Sequence, residues 1–428
     1  MGLKIILFVL IALNLTDNVL GSWLHEQLSN SAVALQVLYI KYLIIAALFV
    51  GFIVDLIYGL KLKKYEWYGI AYLAIAIVMS AAITVLNPGN EGGSRLYLYF
   101  FPVMIYFVGM FVGRRSAFGV RYTVQAYAIG YLVMAGIFFV LNIAVGAVAL
   151  WRDYLNYAGF ILDVKGFTDD AIDGLHGNFY YSIGSTQIPR FLGSFGDPLA
   201  LAYAGMIIII PVYYVFPKYR ILMCSLIGAI IAASFTRAIL LVVPISIAIY
   251  KIFKLRGYSV SIALAILGII VVLIAGDAIS AFSENSSTNG HVLSISQIFD
   301  FMNPLTLLTG AMFSGKMPEF EPGLLNVLFL FGIMPFALFI VFMRGIYVRN
   351  AAIGSATPYI SIIILTGILT LSIISSVFFA TTSGWFAWFL AGFASKRSIT
   401  MLSHHPVVAN PAGAVVATQL DKGQRAYT

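Results

Sequence analysis

Long apolar runs alternate with short polar segments along the whole chain. The runs are nearly free of charged residues, and clusters of Lys, Arg, Gly and Pro separate them. A helix needs about 20 apolar residues to cross a hydrocarbon core of about 30 Å. The pattern therefore predicts an all-α, polytopic integral membrane protein with about 12 transmembrane helices. The predicted spans are 3–21, 35–58, 67–86, 96–112, 122–149, 198–216, 221–235, 238–253, 258–275, 322–343, 356–375 and 378–395.

Composition excludes a soluble globular protein. Of the 428 residues, 61% are hydrophobic and 10% are charged, and the mean hydropathy is +0.96. Soluble domains carry about 25% charged residues. The single cysteine, Cys224, excludes an intramolecular disulfide. The CxxC and HExxH spacings of zinc sites are absent from the sequence, so we expect neither a metal nor another cofactor.

The basic residues predict the orientation of the spans. Cytoplasmic loops of membrane proteins are enriched in Lys and Arg. If the N terminus is cytoplasmic, most of the basic residues fall on that side: Lys4, Lys61, Lys63, Lys64, Arg114, Arg115, Arg121, Lys218, Arg220, Lys251, Lys254, Arg256, Arg344, Arg349, Lys396, Arg397, Lys422 and Arg425. We therefore predict that both termini are cytoplasmic. The net charge of +8 follows from this topology and requires no nucleic-acid partner.

The start of the chain also has features of a signal peptide. MGLK precedes the apolar IILFVLIAL, and Val19 and Gly21 fit a small-residue cleavage site. We expect this segment to be retained as the first span.

Two long loops and a polar C-terminal tail divide the chain into six parts. They are the N-terminal transmembrane helices at 1–149, a large outer loop at 150–197, helices at 198–275, a second outer loop at 276–321, the C-terminal helices at 322–395 and a cytoplasmic tail at 396–428. The first loop contains acids, glycines and aromatic residues, a mixture suited to contacts with sugars or with the membrane interface. In the second loop we predict an amphipathic helix at 291–302.

Residues 221–250 are too short for two full crossings, yet basic residues flank both ends. One tilted helix would place those flanks on opposite sides of the membrane. A short re-entrant hairpin that turns at SFTR keeps both on the cytoplasmic side, and this is the arrangement we predict. It leaves Arg237 below the outer surface, where an arginine is costly and indicates function.

The stretch QIPRFLGSFGDPLALAY has the composition of an anion site. Arg190 precedes a helix that is predicted to begin at Pro198, and Asp197 is suited to the N-cap. A helix N terminus carries partial positive charge and N–H donors, and arginine binds phosphate oxygens in pairs. We therefore assign Arg190 and Arg237 to a diphosphate. Alternatively, Arg190 is a loop residue that extends to the interface.

Three outer residues are candidates for a general base. His291 follows a polar run, and Glu319 and Glu321 precede a span. Each also has a structural interpretation, as a residue at the start of a helix. Lys41 and Asp55 lie near the two ends of the second span, and snorkelling to the interfaces explains both. There is no DxD pair, P-loop, GxSxG motif or Cys/His nucleophile pair in the sequence. Two arginines and a base fit metal-independent glycan transfer from a lipid diphosphate to a hydroxyl.

In arrangement and short motifs, the chain resembles the O-antigen polymerase/ligase (Wzy-type) family. RFLGSFGDPLALA resembles the family's Arg-Gly-Phe-x-(Asn/Asp)-Pro segment after the major periplasmic loop. SFTRAILL resembles its Ser-x-Arg segment. In the C-terminal block, a polar SSTNGH stretch leads to a glycine-containing loop, a glutamate and a helix with a central Phe-Gly-Ile. The resemblance covers residues 185–345, and Asp197 stands where asparagine is common in the family.

The resemblance implies a glycosyltransferase of the bacterial inner membrane that acts on the periplasmic face. Its donor would be an undecaprenyl-diphosphate-linked oligosaccharide, held by Arg190 and Arg237, with His291, Glu319 or Glu321 as base. The expected activity is polymerisation of O-antigen, capsule or exopolysaccharide repeat units with inversion at the anomeric carbon. A chain-length regulator and a flippase are possible partners. The alternatives are a ligase that transfers glycan to lipid A core and a transporter of lipid-linked glycan.

Overall fold

The structure is a computed structural model that describes residues 2–28, 31–86, 96–163, 179–183, 186–282, 295, 298–313, 323–352, 355–373, 376–379 and 383–402. Its principal helices are α1 (Gly2–Leu28), α2 (Ser31–Ile57), α3 (Lys64–Leu86), α4 (Tyr97–Arg115), α5 (Val120–Val145), α6 (Tyr157–Asp163), α7 (Pro198–Val215), α8 (Arg220–Ala233), α9 (Arg237–Phe253), α10 (Gly257–Phe282), α11 (Ile298–Phe301), α12 (Pro304–Thr309), α13 (Gly323–Phe331), α14 (Ile333–Ala351), α15 (Pro358–Ile373) and α16 (Trp385–Leu402).

The predicted class, an all-α membrane protein, is confirmed. Within the described residues, eight helices are long and apolar enough to cross a membrane, judged by length and composition. The predicted number of twelve spans is not confirmed. Three apolar helices, Arg220–Ala233, Pro358–Ser372 and Trp385–Ser395, are shorter than the length of about 20 residues that a straight crossing needs. In addition, the apolar stretch Leu241–Ala275 continues across the turn that separates two predicted spans.

Within the buried core, which most of the long helices share, α4 and α16 are closely packed. A Cβ at Gly109 would lie 2.2 Å from Phe389 O, and one at Gly392 would lie 1.8 Å from Tyr106 O. Glycine at both positions therefore allows the two backbones to touch, as small residues do between membrane helices. Aromatic rings fill the space around this contact. Among them, the rings of Tyr127 and Phe386 are stacked in parallel, with their centroids 4.0 Å apart.

The predicted span 322–343 is wrong as a single helix. It is divided into α13 and α14 at Gly332, whose φ is +83°. The residue that follows α12, in the predicted second outer loop, packs against this break, because a Cβ on Gly310 would lie 2.1 Å from Leu330 O. The backbone of the loop thus occupies the space beside the break. A continuous helix was predicted because the run is long, apolar and free of charged residues, and its hydropathy does not show the break at Gly332.

Replacement of Gly310 by alanine is expected to lower the melting temperature in detergent. The residue has a φ of +64°, and the added methyl group would overlap the carbonyl oxygen of Leu330. We expect a cost of about 1–3 kcal/mol in the free energy of unfolding. The control is Gly136→Ala in α5, where a Cβ has nothing within 4 Å. An equal melting temperature for Gly310→Ala and the control would contradict the observed packing.

The segment predicted as the first outer loop contains a small β-hairpin that an all-α prediction omits. A π-helical turn (Leu150–Tyr154) leads into α6, and strands β1 (Tyr180–Ile183) and β2 (Thr186–Pro189) pair antiparallel, with Tyr180 opposite Pro189. The strands are four residues each, which is too short for an alternating pattern to stand out. In the second loop, where an amphipathic helix was predicted at 291–302, the described residues include the four-residue helix α11, and residues 291–294, 296 and 297 lie outside the described part of the chain.

Candidate functional site

The two motifs that contain Arg190 and Arg237 meet in the structure. Residues 234–236, here called the SFT turn, separate α8 from α9. Arg190 follows β2, and its Nε donates to Ser234 O at 2.8 Å, while its Nη2 donates to Thr236 Oγ1 at 3.3 Å. The next residue binds the same region, since Phe191 N donates to Ala233 O at 3.0 Å. The loop before α7 is therefore attached to the end of α8 and the start of α9.

The SFT turn divides residues 221–250 into two helices at the predicted place. Phe235 occupies the turn with a φ of +53°, an unusual backbone conformation for a bulky residue. Its ring is stacked on Tyr181 of the β-hairpin, with centroids 5.3 Å apart. This ring contact therefore attaches the strained turn to the β-hairpin of the first loop. Such strain occurs where the surrounding structure determines the backbone, often at functional sites.

The hydroxyl groups of the SFT turn face one another. Ser234 Oγ lies 3.0 Å from Thr236 Oγ1, which in turn lies 3.4 Å from Pro198 O at the start of α7. Thr236 occupies the N-cap of α9, but its side chain makes no capping hydrogen bond. The first N–H groups of α9 are therefore not capped by this residue. An uncapped helix N terminus favours an anion.

Residues 192–197, here called the glycine loop, connect Arg190 to α7. Gly196 has a φ of +67°, and a Cβ there would lie 2.8 Å from Tyr157 Cζ and 2.9 Å from Trp151 Cζ3. Asp197 closes the loop as the predicted N-cap of α7, with its Oδ1 accepting from Leu199 N at 2.8 Å. The predicted start of α7 at Pro198 is confirmed.

Burial and one carboxylate set the electrostatics of this loop. Burial lowers the pKa of Arg190, and the nearby charge of Asp197 opposes that shift. The guanidinium stays protonated, because arginine is not deprotonated in proteins. Burial raises the pKa of Tyr157, and the charges of Asp197 and Asp17 raise it further. Tyr157 is therefore a neutral phenol.

The other predicted site residues are only partly placed. Arg237 is the first residue of α9 and follows Thr236 directly, so its backbone belongs to the site; its side chain lies outside the part of the chain that the structure describes. His291, Glu319 and Glu321 also lie outside the described residues. Their assignment as a base remains a prediction.

Snorkelling does not explain Lys41. Only 2% of the residue is exposed, and its Nζ forms an ion pair with Asp17 of α1, which is 6% exposed. Asp55 is paired as well, with Arg115 at 2.5 Å. For Lys41 the prediction was wrong, because a position near the end of a span was taken to mean access to water. A neighbouring helix supplies the opposite charge in both cases.

Sequence reasoning also missed the polar stripe of α1. The side chains of Asn14, Asp17, Asn18 and Ser22 are all buried and share one face. The signal was available in IALNLTDNVLGS, where polar residues recur at helical spacing inside an apolar run. Asn18 Nδ2 donates to Phe195 O in the glycine loop. The stripe therefore lies next to the candidate site.

Among the described residues, no group of three or more His, Cys, Asp or Glu side chains is arranged to hold a metal ion.

No protein-family model, no curated protein and no solved structure matches this chain.

Proposed function

We propose that this protein is a bacterial polysaccharide polymerase that joins undecaprenyl-diphosphate-linked repeat units. The supporting observation is the attachment of Arg190 to the SFT turn, directly before Arg237 and the start of α9. Two arginine-bearing segments and an uncapped helix N terminus converge there. A diphosphate leaving group is an anion of suitable charge for this combination.

The proposed reaction is a direct displacement. The acceptor hydroxyl oxygen forms a bond to the anomeric carbon while the bond from that carbon to the diphosphate oxygen breaks. Undecaprenyl diphosphate leaves with the electron pair, and a general base takes the hydroxyl proton. Because nucleophile and leaving group are on opposite faces, the anomeric configuration is inverted. His291, Glu319 and Glu321 are the candidate bases.

Arg190 and the helix N terminus contribute to the proposed transition state through charge. Negative charge accumulates on the diphosphate as the glycosidic bond breaks, and preorganised donors stabilise this charge. The carbonyl and hydroxyl of the SFT turn orient the Arg190 guanidinium before substrate binds. Asp197 is close enough to influence that guanidinium while it caps α7.

The proposal includes the sidedness and partners expected from the sequence. Both termini would be cytoplasmic in the inner membrane, the site would face the periplasm, and residues 221–250 would form a re-entrant hairpin. A flippase would supply the lipid-linked unit, and a chain-length regulator is a possible partner.

A ligase would use the same donor site. The site formed by Arg190 and the SFT turn would bind only the diphosphate leaving group. It therefore supports a ligase and a polymerase equally. The lipid-linked pool discriminates between them, because cells without a ligase accumulate long lipid-linked polymer and cells without a polymerase accumulate one repeat unit. The buried Asp17–Lys41 pair inside predicted spans is the feature that favours the transporter alternative.

The test uses purified protein, an undecaprenyl-diphosphate-linked repeat unit and excess EDTA, with the ladder of lipid-linked oligomers as readout. We expect a ladder from the native protein and a rate lower by about 100-fold or more for Arg190→Ala, because a preorganised donor is lost. Arg190→Lys is expected to remain strongly impaired, since an ammonium cannot bind two oxygens in the same plane. The control is Arg152→Ala, which removes an outer-loop arginine paired with Asp153 and 64% exposed.

Native activity of Arg190→Ala would contradict the proposed donor site. Transfer that occurs only after addition of lipid A core would identify a ligase. Inactivity of folded native protein in both assays would favour the transporter.

A further inference from the structure

The polar stripe of α1 is expensive in a helix that crosses a membrane. Asn14, Asp17, Asn18 and Ser22 are each at most 6% exposed. Polar and charged side chains inside a membrane helix are rare, and they face partners or functional sites. Two members of the stripe connect α1 to other parts of the molecule: Asp17 pairs with Lys41 of α2, and Asn18 binds the glycine loop.

Asn18 supports the glycine loop at its centre. Its amide Nδ2 donates to the carbonyl oxygen of Phe195, which lies between the two glycines with positive φ, Gly193 and Gly196. Those glycines give this part of the backbone many alternative conformations. A hydrogen bond to the carbonyl between them selects one conformation.

The Asp17–Lys41 pair fixes Asn18 in turn. Asp17 Oδ1 accepts from Asn18 N at 2.8 Å, while Oδ2 accepts from Lys41 Nζ. Both carboxylate oxygens are therefore engaged, and α1 is attached to α2 at this depth. The charge of Asp17 also reaches Tyr157, whose ring lies against Gly196. The glycine loop therefore contacts both α1 and α6.

We propose that Asn18 is a positioning residue for the diphosphate site: it holds the glycine loop so that Arg190, beside the start of α9, presents a preformed anion site to the donor. This inference rests on the proposed function. Arg190 is attached to the SFT turn at one end, and Asn18 sets the path of the loop at the other. The N-terminal helices therefore contribute to the site, although they contain none of the residues assigned to substrate.

The test measures the affinity of purified protein for undecaprenyl diphosphate in detergent, with undecaprenyl monophosphate as the comparison ligand. We expect Asn18→Leu to weaken diphosphate binding by about tenfold, the size of effect that one lost buried hydrogen bond produces. We expect Arg190→Ala to weaken it by more. If Asn18 acts through Arg190, Asn18→Leu will have no further effect in the Arg190→Ala background, because the two changes are coupled.

Asn14→Leu is the matched control. Asn14 lies one turn earlier on the same helix and is equally buried, but its Nδ2 donates to Leu10 O within α1. We expect this variant to bind undecaprenyl diphosphate as the native protein does. Asn18→Gln retains an amide donor and is expected to recover most of the affinity. If Asn18→Leu does not yield monodisperse protein, Asn18→Ala replaces it.

The outcomes separate the two proposals. Unchanged binding in Arg190→Ala would contradict the proposed function itself. Weakened binding in Arg190→Ala, together with native binding in Asn18→Leu, would contradict only the positioning role. Losses that add in the double variant, or an equal loss in Asn14→Leu, would also contradict it, because they indicate a general structural effect.

Discussion

Cells that carry Arg237→Ala as their only copy of this protein are expected to produce no polymer and to accumulate a single lipid-linked repeat unit. The change removes a guanidinium from the first residue of α9, next to the SFT turn that binds Arg190. Loss of one preorganised group that stabilises transition-state charge lowers a rate by about 10²–10³. A reduction of this size would leave only the starting unit visible in an extract of lipid-linked glycan.

The position of Arg237 explains why a large effect is expected. It begins a helix of 17 residues whose N-cap side chain, Thr236, does not cap it. A diphosphate at this position would interact with the guanidinium and with the N–H groups of the first turn. In the proposed re-entrant hairpin, a guanidinium without an anion would be costly inside the membrane. Arg237→Lys is expected to restore the charge but little of the activity.

Arg220→Ala is the matched control for Arg237→Ala. Arg220 is likewise the first residue of an apolar helix, α8, but it lies at the end predicted to be cytoplasmic. We expect normal chain length in that variant when the protein is present at the native level. Normal chain length in Arg237→Ala would reject the assignment of Arg237 to the donor site, and long lipid-linked polymer would identify a ligase.

Lys41→Met is expected to cause the largest loss of stability among substitutions in α1 and α2. Lys41 and Asp17 are both buried, and the substitution leaves the Asp17 carboxylate without its cation. Removal of one partner of a buried ion pair costs about 3–5 kcal/mol in the free energy of unfolding. The measurement is the melting temperature of purified protein in detergent, followed by size-exclusion chromatography.

Replacement of both partners separates the contribution of the charges to stability from the contribution of side-chain packing. The double variant Asp17→Leu, Lys41→Met removes both charges and keeps a similar volume, so it is expected to recover much of the melting temperature lost in Lys41→Met. Arg115→Met serves as a second control, because Arg115 also pairs with an aspartate but is 56% exposed. Exposed ion pairs contribute little to stability, so we expect almost no change there. A double variant less stable than Lys41→Met would show that the charges are not coupled.

The helices were predictable where the length and hydropathy of a single apolar run decide the structure. Spans such as 67–86 and 198–216 correspond to α3 and α7, because length and hydropathy decide whether a segment can cross a membrane. The start of α7 was also predictable, since Asp-Pro supplies both the cap and the first turn. The break at the SFT turn was predicted from a run too short to cross twice. The number of crossings was not predictable, because hydropathy does not show which shorter helices cross.

The candidate site shows the limit of sequence reasoning more clearly. Arg190 and Arg237 were selected because each is an arginine near an apolar helix, a property that one segment reveals by itself. Their juxtaposition required the contact of Arg190 with Ser234 and Thr236, across 44 and 46 residues. Hydropathy contains no information about contacts at such separations.

By itself, the sequence determined that this is a helical membrane protein and where most of its helices lie, because hydrophobic length and capping are local properties. Only the tertiary structure decided that Lys41 is buried against Asp17, that Asn18 supports the glycine loop and that Gly310 packs at the break beside Gly332. Each of these depends on which helix lies next to which. The cost of a polar group in an apolar environment is set by its neighbours in space, and those neighbours come from distant parts of the chain.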